Sequence, residues 1–142
     1  MATGIQVVID CADPERVARF WASALGYKLQ DPPDGYATWE EFLTAIGVPE
    51  NQWNNASAVV DPDGKGPRIY FQRVPEGKTV KNRVHLDVQV GAGLGPEERP
   101  GRVAAEVDRL LGLGATHLRT YDEMGEHWVV LQDPEGNEFC VS

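Results

Sequence analysis

At 142 residues, 42% of them hydrophobic and 25% charged, the chain is expected to be a single soluble domain with room for a hydrophobic core. A net charge of −9 lacks the basic footprint that nucleic-acid binding needs, and no stretch approaches the roughly 18 apolar residues that span a bilayer. The two cysteines, Cys11 and Cys140, make neither a disulfide framework nor a paired metal motif, and no basic leader precedes them, so a cytoplasmic location with reduced thiols is expected.

Ile5, Val7 and Ile9 alternate with Gln6, Val8 and Asp10, the period of a strand. Asp13-Pro14 follows as a helix start, with Asp as N-cap, Pro at the first helical position and Glu15 in the first turn. Val17, Phe20, Trp21, Ala24 and Leu25 form one apolar stripe, and Gly26 is placed to end the helix in a left-handed conformation. Tyr27 to Gln30 reads as a short strand. Residues 31–56 break the rhythm as a lid-like insert. Within it, Thr38 and Glu41 form a capping-box pattern ahead of Trp39, Phe42, Leu43 and Ile46, which predicts a short amphipathic helix. Ala58 to Val60 and Ile69 to Val74 are strands, separated by the turn Asp61-Pro62-Asp63-Gly64.

Asn82 to Val90 alternates without a break and predicts a central strand. Val84, Leu86, Val88 and Val90 face one way, and Arg83, His85, Asp87 and Gln89 the other. A Gly- and Pro-rich loop then leads to a helix from Arg102, with Val103, Val107, Leu110 and Leu111 as its stripe and Gly114 as its stop. Strands are predicted at 116–120, 127–132 and 138–142, the last preceded by a second turn, Asp133-Pro134-Glu135-Gly136.

The order strand, helix, three strands occurs twice, and the two Asp-Pro-x-Gly turns fall in corresponding places. The fold class is therefore α+β, with two βαβββ modules, at about 4–75 and 82–142. One helix covers only one face of a four-stranded sheet, so the other face is left for a ligand or a partner. The residues alternating away from the helices are Gln6, Val8, Asp10, Tyr70, Gln72, His85, Asp87, Gln89 and Cys140, a polar set drawn from four strands. On a strand, His85 and Asp87 would lie about 7 Å apart, a spacing that suits a shared ligand better than direct contact. An ion pair of Asp87 with Arg73 or Arg83 is the plainer alternative.

Several segments carry a family resemblance. They are Cys11 to Arg16 through Phe20-Trp21 to Leu25-Gly26-Tyr27, Tyr70 to Glu76, Lys81 to Asp87, and Asp133 to Cys140. Over about Ile5 to Val141 the chain resembles the vicinal oxygen chelate superfamily, which includes glyoxalase I, bleomycin-resistance proteins, fosfomycin-resistance enzymes and extradiol dioxygenases. The small bacterial glyoxalase-like domain group is the most similar. The resemblance implies a cup-shaped, curved mixed sheet with helices on its outer face, and a homodimer. It also implies metal-ligand positions on the first, fourth, fifth and eighth strands. Here these fall on Gln6, on Tyr70 or alternatively Gln72, on His85, and on Cys140. Only His85 keeps the superfamily's ligand type.

The expected function is therefore binding of a small molecule, a drug or metabolite, in a cleft centred on His85, without the usual metal cofactor. Gln6, Tyr70, Gln72, Asp87, Cys140, Trp39 and Trp128 are the further ligand-binding candidates. The alternative is a lyase-, isomerase- or dioxygenase-like enzyme acting on a small oxygenated metabolite. His85 would then be the acid–base group oriented by Asp87, or would share a divalent metal ion with Cys140 and Gln6.

Overall fold

A computed structural model describes all residues, 1–142, and the chain divides into two compact units, Met1–Gly77 and Lys78–Ser142. No helix is long and apolar enough to cross a membrane.

The first unit contains β1 (Val7–Cys11), α1 (Pro14–Leu25), β2 (Lys28–Leu29), α2 (Trp39–Ala45), β3 (Ala56–Val60) and β4 (Ile69–Arg73). Its four strands form an open mixed sheet in the order β1-β4-β3-β2, with β1 and β4 parallel. The cap and stop of α1 are those the sequence signals. Asp13 accepts a hydrogen bond from the Arg16 N–H at 3.3 Å, and Gly26 closes the helix at φ 69°, a left-handed conformation that costs glycine little. The predicted stripe is buried: Val17, Phe20, Trp21 and Ala24 lie in the core with Val59, Ile69 and Phe71. Each large side chain so buried stabilises the module by about 1.5–3 kcal/mol.

Thr38 caps α2 by accepting from the Glu41 N–H at 3.1 Å, as the capping pattern predicts. The insert is tied down beyond α2. A 3₁₀ turn, Glu50–Asn55, places Asn54 against the start of α1, where its amide donates to Asp13 at 2.9 Å and accepts from the Glu15 N–H at 2.8 Å. The Asn54 hydrogen bond is the main reason the Asp13 carboxyl titrates below its ordinary value; burial opposes it, and the Arg16 N–H and the nearby Arg16 and Arg73 charges reinforce it.

The second unit contains β5 (Asp87–Val88), α3 (Arg99–Gly112), β6 (Thr116–Glu123), β7 (Glu126–Gln132) and β8 (Glu138–Val141), with sheet order β5-β8-β7-β6. This is the first sheet's order with each strand replaced by its counterpart, so the predicted repeat is real at the level of topology. The two turns also work alike. Asp61 accepts from the N–H groups of Asp63, Lys65 and Gly66, and Asp133 accepts from those of Glu135 and Asn137. From α3, Val103, Val107 and Leu110 are buried, as are Val129, Leu131, Phe139 and Val141 from the sheet. Glu106 is buried as well, but Arg102 at 3.6 Å and Arg109 neutralise it.

The central strand is shorter than its alternation predicts: of residues 82–90, only Asp87–Val88 pair as strand. The physical reason is Asn82. Its side chain accepts from the Glu138 N–H at 2.8 Å and donates to the carbonyls of Glu138 at 3.2 Å and Val84 at 2.6 Å. An amide side chain thus takes the ladder position that backbone would hold, and the chain bends away. Val84 points to solvent, 81% exposed, rather than into the core. The ladder resumes where Leu86 accepts from the Cys140 N–H at 3.0 Å.

Candidate functional site

Strand register decides which side chains share the face of the second sheet opposite its core. Asp87 stands opposite Cys140 on β8, Cys140 opposite Val130 on β7, and Val130 opposite Arg119 on β6. Since facing residues share a face, these four form one row, about 14 Å from end to end at the usual strand spacing. Trp128 and Tyr121 form the next row on that face.

One end of the row is polar. His85 Nε2 lies 3.3 Å from Asp87 Oδ1, with the two side chains 43% and 53% exposed. Direct contact corrects the 7 Å separation expected from sequence. His85 sits in the bend ahead of β5 rather than in the strand, so extended spacing does not apply to it. Within the second unit, the ion-pair partner of Asp87 is His85 rather than Arg83. Cys140 is buried beside the pair, and the ligand atoms of His85, Asp87 and Cys140 lie within 4.8 Å of one another. Burial pushes the Cys140 thiol up, and the charge of Asp87 together with its hydrogen bond to the thiol adds to this, while Lys81 partly offsets it. Burial and Asp87 thus both favour the protonated thiol over the thiolate.

The other end is aromatic and cationic. Tyr121 stacks on Trp128 with centroids 4.7 Å apart and planes 11° from parallel, and the Arg119 guanidinium lies 4.4 Å above the Tyr121 ring. Trp128 was legible as a candidate. Arg119 was not singled out although it falls inside the predicted strand, whose pairing shifts register between His117 and Arg119. Tyr121 lay beyond the expected stop at Thr120, and continuing the alternation past that point would have found it.

The remaining candidates belong to the first unit. Val8, Tyr70 and Ala58 share a row on the face turned away from Ile69, Phe71 and Val59, and Asp10, Gln72 and Ala56 share the next. Two of the candidates meet at a residue the sequence reading passed over, Arg68. Its guanidinium donates to Gln6 Oε1 at 3.0 Å and to Gln30 Oε1 at 2.8 Å, and lies 5.3 Å from the centre of the Tyr70 ring. Trp39 joins the same group through Gln30, donating its indole N–H to the Gln30 carbonyl at 2.7 Å. Gln72 lies further along β4, exposed, beside Asp10.

Residues 6–142 match the family described as Glyoxalase-like domain. The chain belongs to the glyoxalase-like domain family. Among solved structures it is similar to a glyoxalase/bleomycin resistance protein/dioxygenase family enzyme from Burkholderia phytofirmans PsJN, at 18% identity and a TM-score of 0.62, covering 96% of this chain and 94% of that one. It is also similar to the fosfomycin resistance protein FosX from Listeria monocytogenes, at 12% identity and 0.63, covering 99% and 91%. A possible glyoxalase from Bacillus cereus gives 15% identity and 0.62, covering 99% and 98%. At such identities the likeness shows the fold alone. No curated protein matches the chain.

The metal chemistry associated with this glyoxalase-like fold is testable against the donors present. In the first module, the candidate oxygen of Gln6 already accepts from Arg68, and the same guanidinium covers Tyr70. A cation placed there would face a fixed positive charge. Gln6 is therefore ill-suited to hold a cation where it stands. In the second module, an imidazole nitrogen, a carboxylate oxygen and a sulfur converge at His85, Asp87 and Cys140. These three donors suit a borderline ion such as zinc, provided the thiol gives up its proton.

Proposed function

We propose that this glyoxalase-like protein is a metal-independent small-molecule binder, its ligand lying on the second sheet along the row from Asp87 to Arg119. The observation that carries the reading is the His85–Asp87 pair at 3.3 Å, standing at one end of a row whose far end meets the Trp128–Tyr121–Arg119 stack. Cys140 and Val130 form the floor between them. Such a surface suits a planar ligand: the aromatic pair supplies area, His85 ring nitrogens that can donate or accept a hydrogen bond, and Arg119 a cation. The guanidinium fixed on Gln6 and Tyr70 supports the metal-independent part of the reading.

A thermal-shift screen of planar small molecules on chelator-treated protein tests it. Ligands that raise the melting temperature should lose that effect in both His85→Ala and Trp128→Ala. Ligands that bind both variants as well as wild type would refute the proposal.

The 3.3 Å contact favours a second reading, an enzyme in which His85 moves a proton and Asp87 orients the imidazole. It requires that a bound molecule be turned over, and that His85→Ala abolish turnover while leaving binding largely intact. A zinc-like ion, if held by His85, Asp87 and Cys140, would supply Lewis-acid polarisation of a ligand oxygen.

A further inference from the structure

The first sheet carries a second polar constellation, built from residues the reading above does not use for its ligand. Arg68 immediately precedes β4 and shares the face of Tyr70, two residues on. Three elements hold its guanidinium. Gln6, ahead of β1, accepts from Nη1, Gln30, beyond β2, accepts from Nε, and the Tyr70 ring lies beneath. All three partners are electrically neutral. In a chain with 22 acidic and 13 basic residues, this arginine is held by amides and an aromatic ring, where a carboxylate would be the commonest partner.

The arrangement has chemical consequences. A guanidinium offers five N–H donors, and two are engaged, leaving three on the Nη1–Nη2 side. Neutral acceptors orient the group without cancelling its charge. The side-chain entropy that a flexible arginine would lose on gripping a ligand is already lost here. Beside it lies an apolar bed, since Tyr70 pairs in register with Val8, a valine 49% exposed on the same face.

We propose that Arg68 is the anchor of an organic-carboxylate subsite on the first sheet. The carboxylate accepts from the free Nη1 and Nη2 N–H groups, and the apolar body of the ligand rests on Tyr70 and Val8. No bond is made or broken. The subsite uses first-module residues only, so it stands or falls separately from the binding row on the second sheet.

Benzoate and its neutral isostere benzamide are the probes, titrated into the full chain with the side-chain N–H signals of arginine and glutamine followed by NMR. Benzoate should give saturable shifts at Arg68 Nε–H and at the Gln6 and Gln30 amides, and benzamide should give none there. Arg68→Gln should weaken benzoate about tenfold or more, and Arg68→Lys nearly as much, since an ammonium cannot present the fork. Gln6→Glu provides a check that keeps Arg68 in place. It puts a carboxylate on the guanidinium and should suppress benzoate binding by a similar factor. Equal binding of benzoate and benzamide, unchanged affinity in Gln6→Glu, or absence of saturable shifts would overturn the proposal. Tighter binding of phenylphosphonate than of benzoate would overturn the assignment to carboxylates.

Discussion

Asn82 offers the sharpest test of how this sequence builds its second sheet. Its side chain makes three hydrogen bonds, to the N–H and carbonyl of Glu138 and to the carbonyl of Val84, and so stands in for missing strand. Asn82→Ala removes all three. At about 1 kcal/mol net for each, and with the Glu138 backbone left short of partners, the loss should be about 3 kcal/mol. For a chain of this size that corresponds to roughly a 10 °C fall in melting temperature. Asn55→Ala, at an exposed asparagine in the 3₁₀ turn of the insert, should change stability by less than about 0.5 kcal/mol. Urea unfolding of the three proteins measures the difference directly. The bend fixed by Asn82 also brings His85 within 3.3 Å of Asp87, a contact that Asn82→Ala should loosen. A stability loss under about 1 kcal/mol would refute the idea that this side chain replaces a strand.

Other outcomes follow from the same geometry. In a Cys11→Ser background, Asp87→Asn should speed alkylation of Cys140 near neutral pH, because the charge and hydrogen bond that help keep the thiol protonated are gone; an unchanged rate would contradict this. Stability should fall on acidification. The carboxyls of Asp13 and Glu138 both titrate below their ordinary values, Asp13 chiefly through Asn54, and Glu138 through Lys78 and the Asn82 N–H acting against burial. Their contribution is complete above the unfolded-state values near about 4 and is lost as pH falls through the lower folded-state values. Asn54→Ala and Lys78→Ala should each flatten that acid limb in urea unfolding, and an unchanged limb in both would contradict it. Tyr121→Ala should cost about 0.5–1.5 kcal/mol beyond its lost buried area, read from a double-mutant cycle with Trp128→Ala.

The sequence made the first module's framework legible because its signals are local. Asp13-Pro14 starts α1, Gly26 stops it, and Thr38 caps α2, each through contacts within a few residues. The repeat was legible too, because two Asp-Pro-x-Gly turns need the same carboxylate-to-backbone bonds wherever they occur. What stayed hidden depends on partners distant in sequence. Alternation from Asn82 to Leu86 looks like strand, yet Asn82 meets Glu138, 56 residues on, and the strand never forms there. Arg68 was not singled out because its partners Gln6 and Gln30 lie 62 and 38 residues away. Its parity with Tyr70 was nevertheless available. Faces were readable where strands were long, and individual contacts were not.

The central claim is tested most directly by ligand titration on chelator-treated protein, comparing wild type with His85→Ala by NMR. The account predicts that a small molecule from the screen binds wild type in the chelator and shifts the signals of His85, Asp87 and the Trp128 indole N–H. It also predicts that the His85→Ala protein loses this binding. Binding that returns only when zinc is added back, and that disappears in Cys140→Ser, would contradict it and make the His85, Asp87 and Cys140 group a metal centre.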